Sequence, residues 1–72
     1  MKIEYDKEVD AAYISLKEIS DGEVRYSSNS VQPSECPGEV NLDFDNEGKL
    51  LGIEVLSASL VLNQDLISQN EN

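Results

Sequence analysis

Residues 40–56 constrain the fold more than any other part of the chain. Val40, Leu42 and Phe44 alternate with Asn41, Asp43 and Asp45, and after a short turn containing Gly48, Leu51, Ile53 and Val55 alternate with Gly52 and Glu54. Side chains repeat with a period of two along a strand and about 3.6 along a helix, so both arms read as strands. The stretch is expected to form a β-hairpin with one apolar face. If Leu51, Ile53 and Val55 face the core, Leu50 and Leu56 fall on the opposite face beside Gly52 and Glu54, and Tyr13 is displaced from Ile14 in the same way. Two readings fit these outward apolar residues. They seal the ends of the sheet while a helix covers one face, or they mark an interface, because a small sheet that is apolar on both faces requires a partner.

The remaining strands follow from the same periodicity. Met1, Ile3 and Tyr5 alternate with Lys2, Glu4 and Asp6, a charged turn occupies residues 6–10, and Ala12, Ile14 and Leu16 alternate with Ala11, Tyr13 and Ser15. These two segments pair as a first hairpin. Ser20-Asp21-Gly22 signals a turn, and residues 24–31 form a weaker strand. Val24 and Tyr26 point inward there but Ser28 and Ser30 continue the same face, which suits a sheet edge. Pro33, Pro37 and Gly38 interrupt any ladder and make residues 32–38 a surface loop. After Leu56 the period changes. Ser57 or Ser59 caps a short helix whose Ala58, Val61, Leu62 and Leu66 recur at spacings of three and four. The expected architecture is α+β: an antiparallel β-meander of four or five strands with a short C-terminal helix. One domain spans residues 1–67, and residues 68–72 form a frayed polar tail.

Size and charge narrow the function. At 72 residues the chain lies near the lower limit for independent folding, where a core rarely supplies more than roughly 3–5 kcal/mol. Cys36 is the only cysteine, so there is no disulfide framework, and a lone thiol fits a reducing compartment. The charged N-terminal alternation is not the apolar segment of a signal peptide, and no apolar run has the length of a membrane span. A cytoplasmic protein is expected. Fifteen Asp and Glu against five Lys and Arg give a net charge of −10, with the cations scattered at Lys2, Lys7, Lys17, Arg25 and Lys49. Phosphate backbones would repel this surface, so direct nucleic-acid binding is not expected. The acidity either serves solubility or suits a basic protein partner.

The chemistry-bearing residues argue against catalysis. Asp43, Asp45, Glu47, Gly48 and Glu54 fall at positions one, three, five, six and twelve of a calcium-loop pattern. That loop sits between two helices, whereas here both flanks alternate as strands. Asp43 and Asp45 lie roughly 6.5–7 Å apart on a strand, a spacing that some acid-base carboxylate pairs use. An exposed pair in so small a chain stays ionised. There is no His, which excludes Ser-His and Cys-His nucleophile pairs and the usual zinc sites. Gly22 and Gly48 read as turn residues, and Gly52, inside a strand, marks a bulge or a close backbone approach. No cofactor or metal site is expected. The candidate partner-binding residues are Asp43, Asp45, Leu50, Glu54 and Leu56.

Two motifs carry a family resemblance. Tyr5-Asp6, Asp10-Ala11, Tyr13-Ile14 and Leu16, followed later by Asp43, Asp45, Gly48, Gly52-Ile53-Glu54-Val55-Leu56 and Ala58-Ser59, resemble the prokaryotic family called domain of unknown function 2283. Together the motifs span about residues 1–62. The resemblance implies a short antiparallel-sheet protein, and, since some members are proposed as antitoxins, a partner that binds a basic toxin. It assigns no catalytic residue. The Ser-rich third strand and the loop carrying Cys36 depart from the family pattern. The expected function is a non-enzymatic protein-binding module, antitoxin-like toward a basic protein. The alternative is an acidic homo-oligomer with a structural or weak cation-binding role.

Overall fold

A computed structural model describes residues 1–28 and 37–70. Five strands, β1 (Lys2–Asp6), β2 (Ala11–Ser15), β3 (Tyr26–Ser27), β4 (Glu39–Phe44) and β5 (Leu50–Leu56), precede two short helices, α1 (Ala58–Val61) and α2 (Gln64–Gln69). The strands make one antiparallel sheet in the order β1-β2-β5-β4-β3. The hairpin β1-β2 and the meander β3-β4-β5 are each local, and they join where Ala12 of β2 stands opposite Val55 of β5. The fold is the α+β class expected from the periodicities, with the 40–56 hairpin supplying the central strand.

Register assigns the two faces. Tyr5, Ala12, Val55 and Val40 lie in one cross-strand row, and Ile3, Ile14, Ile53 and Leu42 in the next. Residues directly opposite in antiparallel strands point to the same side. Tyr5, Ala12 and Val55 pack with Ala58 of α1 and Ile67 of α2, and Ile53, Val61 and Leu62 close around them. This helix face therefore holds the core. Leu51, also on it, is 1% exposed and is the largest fully buried side chain among the described residues.

The C-terminal segment differs from the single helix expected. Leu62 and Asn63 take extended ψ angles of 152° and 141° and split it in two. The Asn63 side chain accepts the backbone N–H of Asp65 at 2.8 Å and caps α2. Ser57 has a left-handed φ of 56° and makes no capping hydrogen bond, so neither expected serine caps a helix through its hydroxyl. The cap of α1 comes instead from Asp10, whose Oδ1 accepts the Ser59 N–H at 2.9 Å. The second helix buries Ile67, while Leu66, expected on the core stripe, remains 37% exposed.

Residues 68–70 are held where fraying was expected. Helix α2 runs to Gln69, and the Asn70 carbonyl accepts the Tyr5 N–H from the outer edge of β1 at 3.0 Å. Residues 71–72 lie outside the described residues. The third strand is shorter than the 24–31 expected, with only Tyr26 and Ser27 paired to β4 among the described residues. It does form the sheet edge, but Val24 and Tyr26 are exposed rather than turned inward. Residues 29–36, and with them Cys36 and most of the 32–38 loop, lie outside the described residues. Gly38 is buried, because its backbone runs against the Leu56 carbonyl and the Val61 side chain.

Candidate functional site

The other face of the sheet carries Lys2, Glu4 and Asp6 from β1, Ala11, Tyr13 and Ser15 from β2, Gly52, Glu54 and Leu56 from β5, and Glu39, Asn41 and Asp43 from β4. These strand residues bring five carboxylates against one ammonium, that of Lys2, which lies 3.7 Å from Glu4. Both helices pack on the opposite side, and among the described residues no element lies across this open face.

Tyr13 organises the centre. It stands between Glu4 and Glu54 in its row, but its ring crosses β5 over Gly52 toward β4. Its hydroxyl donates to Asp43 Oδ2 at 2.6 Å, and Ser27 Oγ donates to Asp43 Oδ1 at 2.7 Å. Both oxygens of Asp43 are thus engaged, and strands β2, β4 and β3 are linked across the face. Beside them Asn41 Nδ2 donates to Glu54 Oε1 at 2.9 Å. Desolvation under the neighbouring side chains, reinforced by the Asp43 hydrogen bond and the charges of Asp43 and Glu54, pushes the Tyr13 phenol up to about 12. Tyr13 is therefore a neutral donor at physiological pH. Two open hollows touch its ring. One of about 660 Å³ is bordered by Lys2, Glu4, Ser15 and Lys17, and one of about 350 Å³ by Asp6, Val9, Ala11 and Glu54.

The five candidate residues separate. Asp43, Glu54 and Leu56 share the open face as expected. Asp45 is the acceptor that closes the β4-β5 turn: its Oδ1 takes the N–H groups of Glu47 and Lys49, both at 2.9 Å. Gly48 completes that turn with a left-handed φ of 79°. Leu50 requires a correction. A bulge at Asp43/Phe44 pairs Phe44 with Leu50 and leaves Leu51 extra, so Leu50 turns to the helix side with Phe44 rather than to the open face. The acids of the calcium-loop pattern are likewise divided between sheet face and turn, and among the described residues no group of three or more potential metal ligands converges.

A second cluster lies at the helix end of the sheet. Asp10, with a left-handed φ of 52°, accepts the Tyr5 hydroxyl at 2.8 Å, the Ser59 N–H at 2.9 Å and the Ser59 hydroxyl at 2.7 Å. Its carbonyl also takes the Ala58 N–H. The Ser59 hydroxyl first, then Tyr5 and the Ser59 amide, hold the carboxyl below its ordinary range. The role is structural, tying the first turn to α1 across 49 positions of sequence. Sequence reasoning placed Asp10 only in a turn. It also missed Tyr13 as the centre of the open face, although a large outward residue on one strand and a glycine on another are the trace that such a crossing leaves.

Tyr5, Asp10, Tyr13, Asp43, Gly52 and Ser59, which carried the family motifs, are thus the residues of these two networks. No curated protein and no solved structure matches the chain. A family match covers residues 2–59, taking in all five strands and ending at Ser59, the partner of Asp10. The chain belongs to the family described as protein of unknown function (DUF2283).

Proposed function

We propose that this protein is a non-enzymatic binding module that takes a basic protein partner, antitoxin-like in its role, on the open face of its sheet. One observation carries the reading: a sheet face whose strand residues bring five carboxylates and one lysine, left without a covering layer among the described residues. A field of one sign steers an oppositely charged partner and rejects nucleic acid. Ala11 and Leu56 stand side by side in one row and the ring of Tyr13 lies over Gly52 two rows away, so two small apolar patches sit among the carboxylates for a partner's side chains to cover. Catalysis is not part of the proposal. The chain has no His, Tyr13 stays protonated, and Asp43 has both oxygens engaged.

The test is co-expression with the product of the adjacent gene. A complex that weakens with added salt and is lost in the double variant Glu4→Lys/Glu54→Lys, but survives Glu8→Lys in the first turn, is the expected result. Absence of any complex, together with no relief of that product's toxicity, overturns the reading.

A further inference from the structure

The aspartates differ in what holds them. Asp6 accepts the Glu8 N–H at 2.9 Å, and Asp10, Asp43 and Asp45 each accept the hydrogen bonds described above. The carboxylate of Asp65 has no such bond among the described residues, but the amide that follows it, that of Leu66, is fixed on the Asn63 carbonyl at 3.0 Å. Asp21 is the remaining one. Neither its carboxylate nor the N–H of Gly22 makes a hydrogen bond among the described residues, and both residues are exposed.

The turn that carries this pair explains its freedom. The Glu23 N–H donates to the Ser20 carbonyl at 3.0 Å and closes the turn. Asp21 is not left-handed and Gly22 has a φ of 77°, the pattern of a type II turn, which takes glycine at its third position. The outer residues are held, and the peptide between Asp21 and Gly22 is not. A Cβ built on Gly22 would meet nothing within 4 Å, so this peptide has room to rotate and nothing shields its nitrogen. Asn46, in the β4-β5 turn, lacks that freedom, because the amide that follows it, the Glu47 N–H, is taken by Asp45 Oδ1.

We infer that Asp21-Gly22 is a modification site at which the folded chain isomerises spontaneously to isoaspartate. The Gly22 nitrogen gives up its proton and bonds to Cγ of Asp21, a carboxyl oxygen departs as water, and a cyclic imide closes. Water then opens either imide carbonyl. Attack at Cγ restores aspartate, whereas attack at the main-chain carbon breaks the original Asp21-Gly22 bond and leaves the chain running through Cβ and Cγ with the α-carboxylate free. Atoms and net charge are unchanged, and water is the sole reagent. The added main-chain atom falls between Ser20 and Glu23. It displaces the clasp in which the Glu23 carboxylate accepts the Ser20 N–H at 2.9 Å and Lys17 Nζ at 2.6 Å. The inference is independent of the basic-partner reading, since no partner enters it.

Ageing the full chain in neutral buffer at physiological temperature tests it, with a synthetic peptide of residues 18–25 aged beside it as the unfolded reference. After digestion, the fragment carrying Asp21 is expected to split into two species of equal mass, and an isoaspartyl carboxyl methyltransferase with a labelled methyl donor is expected to mark one of them. The folded chain should convert at a rate within about tenfold of the peptide's. Fragments carrying Asp10, Asp43 and Asp45 should stay single. Asp21→Glu, whose longer side chain closes a larger ring, should lose the labelled species. Asp21→Asn should form the same imide with ammonia as the leaving group and gain one negative charge, read by isoelectric focusing. An Asp21 that stays intact after the peptide has converted overturns the inference, as does label that falls equally on Asp10, Asp43 and Asp45.

Discussion

Tyr13 occupies the space that Gly52 leaves empty. A Cβ built on Gly52 would lie 2.6 Å from Cζ and 2.7 Å from Cε2 of the ring, and the backbone of Gly52 is not left-handed, so the glycine is required for room rather than for conformation. Because the ring can cross β5 there, a side chain rooted on β2 reaches Asp43 on β4. One missing methyl group thus connects three strands.

Gly52→Ala is expected to swing Tyr13 off the sheet and break its bond to Asp43. The tip of a tyrosine can move aside, so the cost is the lost hydrogen bond and packing rather than backbone strain, about 1–2 kcal/mol. Urea denaturation measures it. Tyr13→Phe, which keeps the ring and removes only the donor, should cost less. In Gly52→Ala/Tyr13→Phe the two effects should fall short of additivity, since both act on one contact.

The phenol itself predicts an alkaline transition. Its folded-state value of about 12 lies above the ordinary 10.0, so its contribution to stability is complete below pH 10.0 and is lost as pH rises toward about 12. Tyrosinate absorbance should show one of the three tyrosines ionising near 12. Tyr13→Phe should remove that step, and Asp43→Asn should lower it by taking away the neighbouring charge and leaving a weaker, neutral acceptor for the hydroxyl.

Tyr13 also shows where reading the sequence stops. Period two placed Asp43, Glu54 and Leu56 on one side of the 40–56 hairpin because each residue's face depends only on its neighbours, and Gly52 stood out as a close approach for the same reason. The bulge escaped that count. Once Leu51 is extra, every position beyond it changes side, and only the doubled Leu50-Leu51 hinted at it. The break at Leu62-Asn63 was masked by apolar spacing that two short helices share. Asp10 and Ser59 are 49 residues apart, and no local pattern reports a cap contributed from another part of the chain.

Asp10 should govern part of the acid limb of stability. Its folded-state value is depressed, so the contribution is present above the ordinary 3.8 and is lost as pH falls through the folded value. Urea midpoints followed from neutral pH downward should therefore fall less steeply in Asp10→Asn than in the natural chain, from a lower starting midpoint. Asparagine tolerates the left-handed φ of 52° at this position, so the difference reports the carboxylate and not the backbone. Ser59→Ala removes the largest cause of the depression and should reproduce part of the effect, whereas Glu8→Gln, in the same turn but outside the network, should not.

Two leucines of opposite burial separate core packing from surface exposure. Leu51 is 1% exposed, and Leu51→Ala leaves a cavity in a sheet that has few other large side chains fully enclosed. Such truncations cost about 2–5 kcal/mol. A domain of this size has roughly that much stability in total. Leu51→Ala is expected to populate the unfolded state without denaturant, seen as loss of amide dispersion in NMR and as an absent or strongly shifted urea transition. Leu60, 64% exposed on α1, has little packing to lose, and Leu60→Ala should stay within about 0.5 kcal/mol of the natural chain. Equal effects of the two substitutions would contradict a core concentrated on the helix side of β5, where Leu51 alternates inward with Ile53 and Val55.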